Sequence, residues 1–275
     1  MGALAKPLLH GKLRFMGAID TSAGRIGVAD NGTRDGLPIL FLHGVGSTKS
    51  VWQPQLDHFS GVRPAVAIDY PGYGDSAPRH DATRDDYARA AFAALDALGH
   101  DEAHICGLSL GGVVAIAMHA LAPERCRSLI LADTFAVHPD GRGIYDRSVA
   151  ASTDLRALAE ARVDILMAQP VEPSLRAEVV DSMAAIDPAA YCLGARAVWL
   201  ADQRDRVSEI RVPTLVLCGA ADVVTPPALS EELAAAIAAA RLVIVEGAGH
   251  LSNIERPAEF NAAVDRFLLE VERKK

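Results

Sequence analysis

Six short, dominantly apolar runs punctuate the chain: residues 39–42 (ILFL), 65–68 (AVAI), 103–106 (AHIC), 128–132 (SLILA), 214–218 (TLVLC) and 242–245 (LVIV). Each gives way to a polar or glycine-containing turn. A strand wet on one face alternates apolar with polar residues, whereas a strand covered on both faces reads as a continuous apolar run. Helical patterns at 83–98, 110–121, 227–239 and 257–272 fall among these runs. Alternating buried strands and helices imply βαβ units, and therefore a parallel sheet with right-handed crossovers. Upstream, residues 13–19 and 24–29, separated by Asp20-Thr-Ser-Ala23, read as a hairpin. The alanine-rich stretch 233–240 reads as helix, because alanine is the best helix former.

One segment interrupts the alternation. Residues 135–209 carry no strong strand pattern and read as short helices near 155–167, 175–186 and 189–204, joined at Pro170, Pro173 and Pro188. An insertion after the carboxyl end of a strand lies over the crevice where open α/β sheets bind ligands, so this segment is expected to form a lid. The expected organisation is an α/β core in two parts, 1–134 and 210–275, with a helical cap at 135–209 between them.

Composition narrows the functional classes. Half of the 275 residues are hydrophobic and 23% are charged, which suits a well-buried core. A net charge of −8, from 35 acidic and 27 basic residues, offers no electrostatic footprint for nucleic acid or an anionic membrane surface. The one basic cluster, Arg273-Lys-Lys275, is a chain end expected to fray. Cys106, Cys126, Cys192 and Cys218 have neither zinc-ligand nor disulfide-framework spacing, and read as free thiols of a reducing compartment. The first residues, MGALAKPLLHGKLRF, lack the apolar centre of a signal peptide, and no apolar run approaches the roughly 18 residues of a membrane span. The expected location is the cytoplasm; the sequence leaves oligomeric state open.

The chemistry begins at HICGLSLGGVV, residues 104–114. A strand pattern ends at Cys106 and a helix pattern starts at Leu110, so Gly107-Leu-Ser-Leu-Gly111 is the turn between them. Glycine weakens either element, and two of them flanking a serine suggest a turn too tight for side chains, on which Ser109 stands exposed as a nucleophile. Helix onset just beyond it directs unpaired N–H groups and the positive end of the dipole toward an anion beside the serine. A GxSxG run alone is weak, since glycine frequency near 7% yields one by chance in about one chain in ten of this length.

Three further features stand just past strand patterns. Acyl transfer needs two N–H donors for its oxyanion, one after the nucleophile and one from the loop following the 39–42 strand. Leu110 and Val45, the latter in Leu42-His43-Gly44-Val45-Gly46, are the candidate backbone donors. His43, before the glycine turn, reads as structural. Asp222 ends Cys218-Gly-Ala-Ala-Asp222, and is preferred as the acid over Asp133, which closes the 128–132 run. His250 closes Glu246-Gly-Ala-Gly-His250. Nucleophile, acid and histidine in the order Ser109, Asp222, His250 match one known arrangement of a hydrolytic triad.

From hairpin to last helix the chain resembles the α/β-hydrolases: HGVG at 43–46, DYPGYGDS at 69–76, GLSLGG at 107–112, VPTLVLCGAAD at 212–222 and GAGHLSNIERPAEF at 247–260. Within that superfamily HLSNIERP at 250–257 and DVVTPP at 222–227 are similar to the 3-oxoadipate enol-lactonases, whereas His43-Gly44 has the form of the wider esterase and lactonase group. The resemblance implies an α/β-hydrolase fold with a mostly parallel central sheet and a helical lid. It also implies a cofactor-free, metal-free hydrolase of a small carboxylic ester or lactone, working through Ser109, His250 and Asp222. An enol-lactone's carboxylate calls for a cation near the pocket, for which Arg142 and Arg147 are candidates, and Tyr191 and Trp199 are candidates for its apolar wall. Competing expectations on the same fold are a carbon–carbon hydrolase, a haloperoxidase-like enzyme, a lyase, or a non-catalytic small-molecule receptor.

Overall fold

The computed structural model describes residues 16–238 and 240–273. Residues 13–15 of the expected hairpin, Ala239, and Lys274-Lys275 of the basic end lie outside them.

An eight-stranded sheet runs in the order β1-β2-β4-β3-β5-β6-β7-β8. Its strands are β1 (Met16–Thr21), β2 (Gly24–Asp30), β3 (Ile39–Leu42), β4 (Ala65–Ile68), β5 (Ala103–Leu108), β6 (Cys126–Ala132), β7 (Thr214–Gly219) and β8 (Ala240–Val245). The hairpin β1–β2 is antiparallel, and β2 meets β4 antiparallel, while every pairing from β4 to β8 is parallel. The continuous apolar runs become the central strands, and every residue of β3, β4, β5 and β7 is buried. Strand β8 at the edge keeps partly exposed positions, as one-sided cover requires.

Helices supply the cover. Short α1 (Gln53–His58) packs with α11 (Pro257–Arg273), and α2 (Arg84–Ala97) with α3 (Leu110–Leu121). Helix α2 starts at a capping box: Asp86 N–H donates to Thr83 Oγ1 at 3.2 Å, and Thr83 N–H to the Asp86 carboxylate at 3.0 Å. Helix α9 (Pro227–Ala236) stops earlier than the alanine run suggests. Ile237 is extended and Ala240 already pairs with Thr214 in β7, so tertiary pairing overrides alanine's weak preference.

Five helices lie between β6 and β7: α4 (Gly141–Ala151), α5 (Leu155–Leu166), α6 (Pro173–Ala184), α7 (Pro188–Trp199) and α8 (Arg204–Ser208). Pro173 and Pro188 occupy first turns, where a missing N–H leaves no bond unmade. Helix α4 has no counterpart in the sequence reading, because its Gly-Arg-Gly start resembles a turn. No described helix is long and apolar enough to cross a membrane.

Candidate active site

The turn from β5 into α3 is as tight as its glycines suggest. Ser109 adopts φ 56° and ψ −113°, a strained conformation for a residue with a side chain. A Cβ on Gly107 would collide with the Gly111 carbonyl, and one on Gly111 with the Leu42 carbonyl of β3. Hydrogen bonds on both sides fix the strained residue. Its N–H donates to Ala132 O at 2.9 Å, and its carbonyl accepts from Gly112 N–H at 2.9 Å and from the Thr134 hydroxyl at 2.9 Å.

Asp222 and His250 meet beyond the ends of β7 and β8. His250 Nδ1 lies 2.8 Å from Asp222 Oδ2, which also accepts the Thr225 hydroxyl at 2.7 Å. Oδ1 accepts the N–H groups of Val224 at 2.8 Å and Thr225 at 2.9 Å. Burial alone would raise the Asp222 carboxyl, but the His250 charge and these hydrogen bonds outweigh it and hold its pKa at about 2. Burial likewise lowers His250, yet the Asp222 charge and hydrogen bond leave it raised above its ordinary 6.5. A carboxylate on Nδ1 leaves Nε2 as the basic nitrogen.

Asp133, the other acid past a strand end, is engaged differently. At φ 47°, it accepts Gly219 N–H at 2.8 Å and the Ser252 hydroxyl at 2.5 Å. Burial, then the neighbouring Asp222 charge, push its pKa up to about 8, far above the usual carboxylate range. With Cys218 the two aspartates form a cluster of potential metal ligands. The donor set is poor for a cation, since burial pushes the Cys218 thiol up to about 12 and hydrogen bonds occupy both carboxyl groups.

A cleft with about 730 Å³ of empty space, measured out to its mouth, is lined by Ser109 and His250 together. Gly44 and Val45 form part of its wall, and the expected apolar residues Tyr191 and Trp199 lie on it. Trp199 also stacks on Phe135. Among the described residues no acceptor is paired with the N–H of Val45 or Leu110. Just past the Val45 loop, Lys49 Nζ and N–H both bond the buried Asp69 carboxylate at 2.7 Å. His43 is buried with Nδ1 2.8 Å from Gly44 O, and Nε2 accepts Tyr70 N–H at 3.4 Å. Burial lowers its pKa to about 4, so it is a neutral ring that shapes the loop.

Arg142 and Arg147 lie apart from this cleft. Both are exposed and paired on the surface, Arg142 with Asp146 and Arg147 with Asp140. Two residues that sequence reasoning passed over stand closer. Arg162 on α5 lines the cleft. The Glu255 carboxylate gathers three N–H groups: Gly249 at 3.0 Å, Leu251 at 3.1 Å and Ala168 at 2.7 Å. It therefore clamps both sides of His250 to the end of α5, where His250 N–H also meets Leu166 O at 2.7 Å. Its place within GAGHLSNIERP was the available sign, and the α5 pattern, with Arg162 four residues before Leu166, was the sign for Arg162.

The sequence profile of the alpha/beta hydrolase family matches residues 39–263. The 3-oxoadipate enol-lactonase 1 of Acinetobacter baylyi is 28% identical over 251 residues, covering 90% of this chain and 94% of that one. A 2-hydroxymuconate semialdehyde hydrolase of Pseudomonas sp. is 30% identical over 266 residues, covering 90% and 92%. The crystal structure of the enol-lactonase from Burkholderia xenovorans superposes with a TM-score of 0.86 at 28% identity, over 92% of this chain and 99% of that chain.

Proposed function

The chain belongs to the alpha/beta hydrolase family, and within it we propose a serine hydrolase that opens a small carboxylic ester or lactone through an acyl-enzyme. The observation that carries this reading is a strained serine on a glycine-flanked turn, sharing one cleft with a histidine whose far nitrogen is bonded to a buried carboxylate. Ser109 Oγ attacks the carbonyl carbon while His250 Nε2 takes its proton. Asp222 fixes the imidazole tautomer and stabilises the cation. The N–H groups of Val45 and Leu110 receive the oxyanion, with the α3 dipole adding to the second. As the tetrahedral intermediate collapses, His250 returns the proton to the leaving alkoxide. Water, deprotonated by the same nitrogen, then frees Ser109 and the acid. With a lactone the alcohol stays tethered and a single product leaves. The five helices between β6 and β7 act as the lid.

The likeness to enol-lactonases at 28% identity supports lactones as the first substrates to assay. A hydrolase of carbon–carbon bonds is the second reading, favoured by the Pseudomonas relative at 30% identity, since fold and triad alone do not fix the bond cleaved. A pH-stat assay of acid release from short esters and lactones, wild type against Ser109→Ala, tests the proposal. Release abolished by the substitution supports it. A folded wild type that releases acid from none of them moves the assignment to the second reading.

A further inference from the structure

The loop Asp222-Val-Val-Thr-Pro-Pro227 carries a hydroxyl that its own folding does not require. Backbone groups and one ring hold the turn: Asp222 N–H donates to Gly219 O at 3.1 Å, Val224 and Thr225 N–H to Asp222 Oδ1, and His138 Nε2 to Val224 O at 3.1 Å. Pro226 and Pro227 then stiffen the entry to α9. Valine has the shape of threonine, and Thr225 is fully buried, where a hydroxyl is unfavourable unless it is hydrogen-bonded. The Thr225 hydroxyl finds its bonds in the triad. Its Oγ1 lies 2.7 Å from Asp222 Oδ2 and 3.2 Å from His250 Nδ1, and those two atoms are 2.8 Å apart, so the three close a triangle. The carboxylate brings no proton to it. The hydroxyl gives its own to the nearer and charged oxygen, Oδ2, and turns its lone pairs toward Nδ1. Nδ1 therefore meets two acceptors. A ring with its proton on Nε2 would set a lone pair against both oxygens, and the hydroxyl could turn to it only by deserting the carboxylate. The same bond stops the carboxyl group from pivoting about Oδ1, since Oδ2 is met among the described residues by the hydroxyl and the imidazole. It is also one of the bonds that hold the Asp222 pKa at about 2.

From this geometry we propose that Thr225 is a positioning residue of the triad: its hydroxyl fixes Oδ2 and accepts the Nδ1 proton alongside it, so that carboxylate and imidazole keep their register while Nε2 takes the serine proton and returns it. Thr225 acts through Asp222 and His250 and touches no substrate. The proposal rests on the hydrolase reading for the proton transfer, whereas the tautomer it fixes exists in the free protein.

The test removes the hydroxyl and keeps the shape. On p-nitrophenyl acetate, Thr225→Val is expected to lose roughly 10- to 100-fold in kcat, the scale of a hydrogen bond to a charged group, with KM within about twofold. Thr225→Ala, which sets no methyl against Nδ1, should lose as much, and Thr225→Ser should recover kcat to within about threefold of wild type. In an Asp222→Asn background, where the carboxylate served by the hydroxyl is gone, Thr225→Val should cost less than about threefold more. A residue that merely builds the turn would cost the same in both backgrounds, and that result, or a Thr225→Val enzyme with wild-type kcat, overturns the proposal. Nitrogen-15 NMR of labelled histidine, with His250 assigned by difference from His250→Gln, reads the tautomer without turnover on the alkaline plateau of its titration. The wild type should carry the proton on Nδ1 and Thr225→Val a mixture of the two tautomers. An unchanged tautomer in Thr225→Val overturns the proposal whatever the rates. If the wild type cleaves no ester, the hydrolase reading fails, and a mixed tautomer in Thr225→Val still upholds the role of Thr225.

Discussion

Replacing Asp222 with asparagine changes charge while keeping shape, and the surrounding bonds fix the consequence. The amide oxygen can still accept the N–H groups of Val224 and Thr225, which now hold Oδ1 at 2.8 and 2.9 Å. The amide nitrogen then takes the place of Oδ2, which faces His250 Nδ1 at 2.8 Å. Two donors cannot share that contact, so the imidazole shifts its proton to Nε2 and presents a donor where the proposed attack by Ser109 needs an acceptor. Inverting the tautomer of such a triad lowers turnover by about 10⁴-fold. A stability effect accompanies it. The fall of the Asp222 pKa from 3.8 to about 2 corresponds to roughly 2 kcal/mol favouring the ionised, folded state at neutral pH. Because the folded pKa is the depressed one, this contribution is present above pH ~4 and disappears as pH falls through about 2. Asp222→Asn should therefore lose about 10⁴ in kcat on p-nitrophenyl acetate and up to roughly 2 kcal/mol in urea unfolding at pH 7. Asp133→Asn is the paired control. Burial pushes Asp133 toward its neutral form, and an amide can satisfy both Gly219 N–H and the Ser252 hydroxyl, so turnover should stay within about tenfold, a change of about 1.4 kcal/mol in barrier. If Asp133→Asn is the crippling change and Asp222→Asn the mild one, the assignment of the acid is refuted.

Further outcomes follow from the same geometry. The His250 pKa is raised, so kcat/KM should fall toward acid with a midpoint above 6.5, and Asp222→Asn should shift the residual activity's midpoint downward; a wild-type profile flat to pH 5 would remove His250 as the base. Asp133 is raised to about 8, so its contribution to stability is fully present below pH ~4 and lost as pH rises through about 8; urea unfolding of Asp133→Asn should show a flatter pH dependence across that window. Gly111→Ala drives a methyl into the Leu42 carbonyl and should fail to give folded protein, or give one destabilised by more than about 3 kcal/mol, as read by thermal melting. Glu255→Gln keeps only one acceptor for three N–H groups and should cost about 1–3 kcal/mol in unfolding while lowering kcat through a displaced His250, a loss that Glu255→Asp partly restores if reach permits.

The central strands were readable because burial on both faces leaves an unbroken apolar signature, and the Ser109 turn because sterics admit only glycine at 107 and 111. Helix α1 escaped because six residues are too few to display a helical period. The end of α9 escaped because local propensity pointed one way and pairing with β7 the other. Asp133 and Asp222 occupy equivalent places in the sequence pattern, and the hydrogen bonds beyond the strand ends distinguish them. Arg142, Arg147 and Arg162 are alike as letters. Which of them lines the Ser109 cleft depends on how the helices between β6 and β7 dock, a long-range outcome that no local pattern encodes.

The claim on which the account turns is that Ser109 forms a covalent acyl-enzyme. Intact mass spectrometry after labelling with an alkyl fluorophosphonate, followed by peptide mapping, tests it most directly. A single adduct on the peptide carrying Ser109 is expected, formed rapidly by the wild type, slowed in Asp222→Asn and absent in Ser109→Ala. Labelling at another residue, or ester turnover retained by Ser109→Ala, would contradict it.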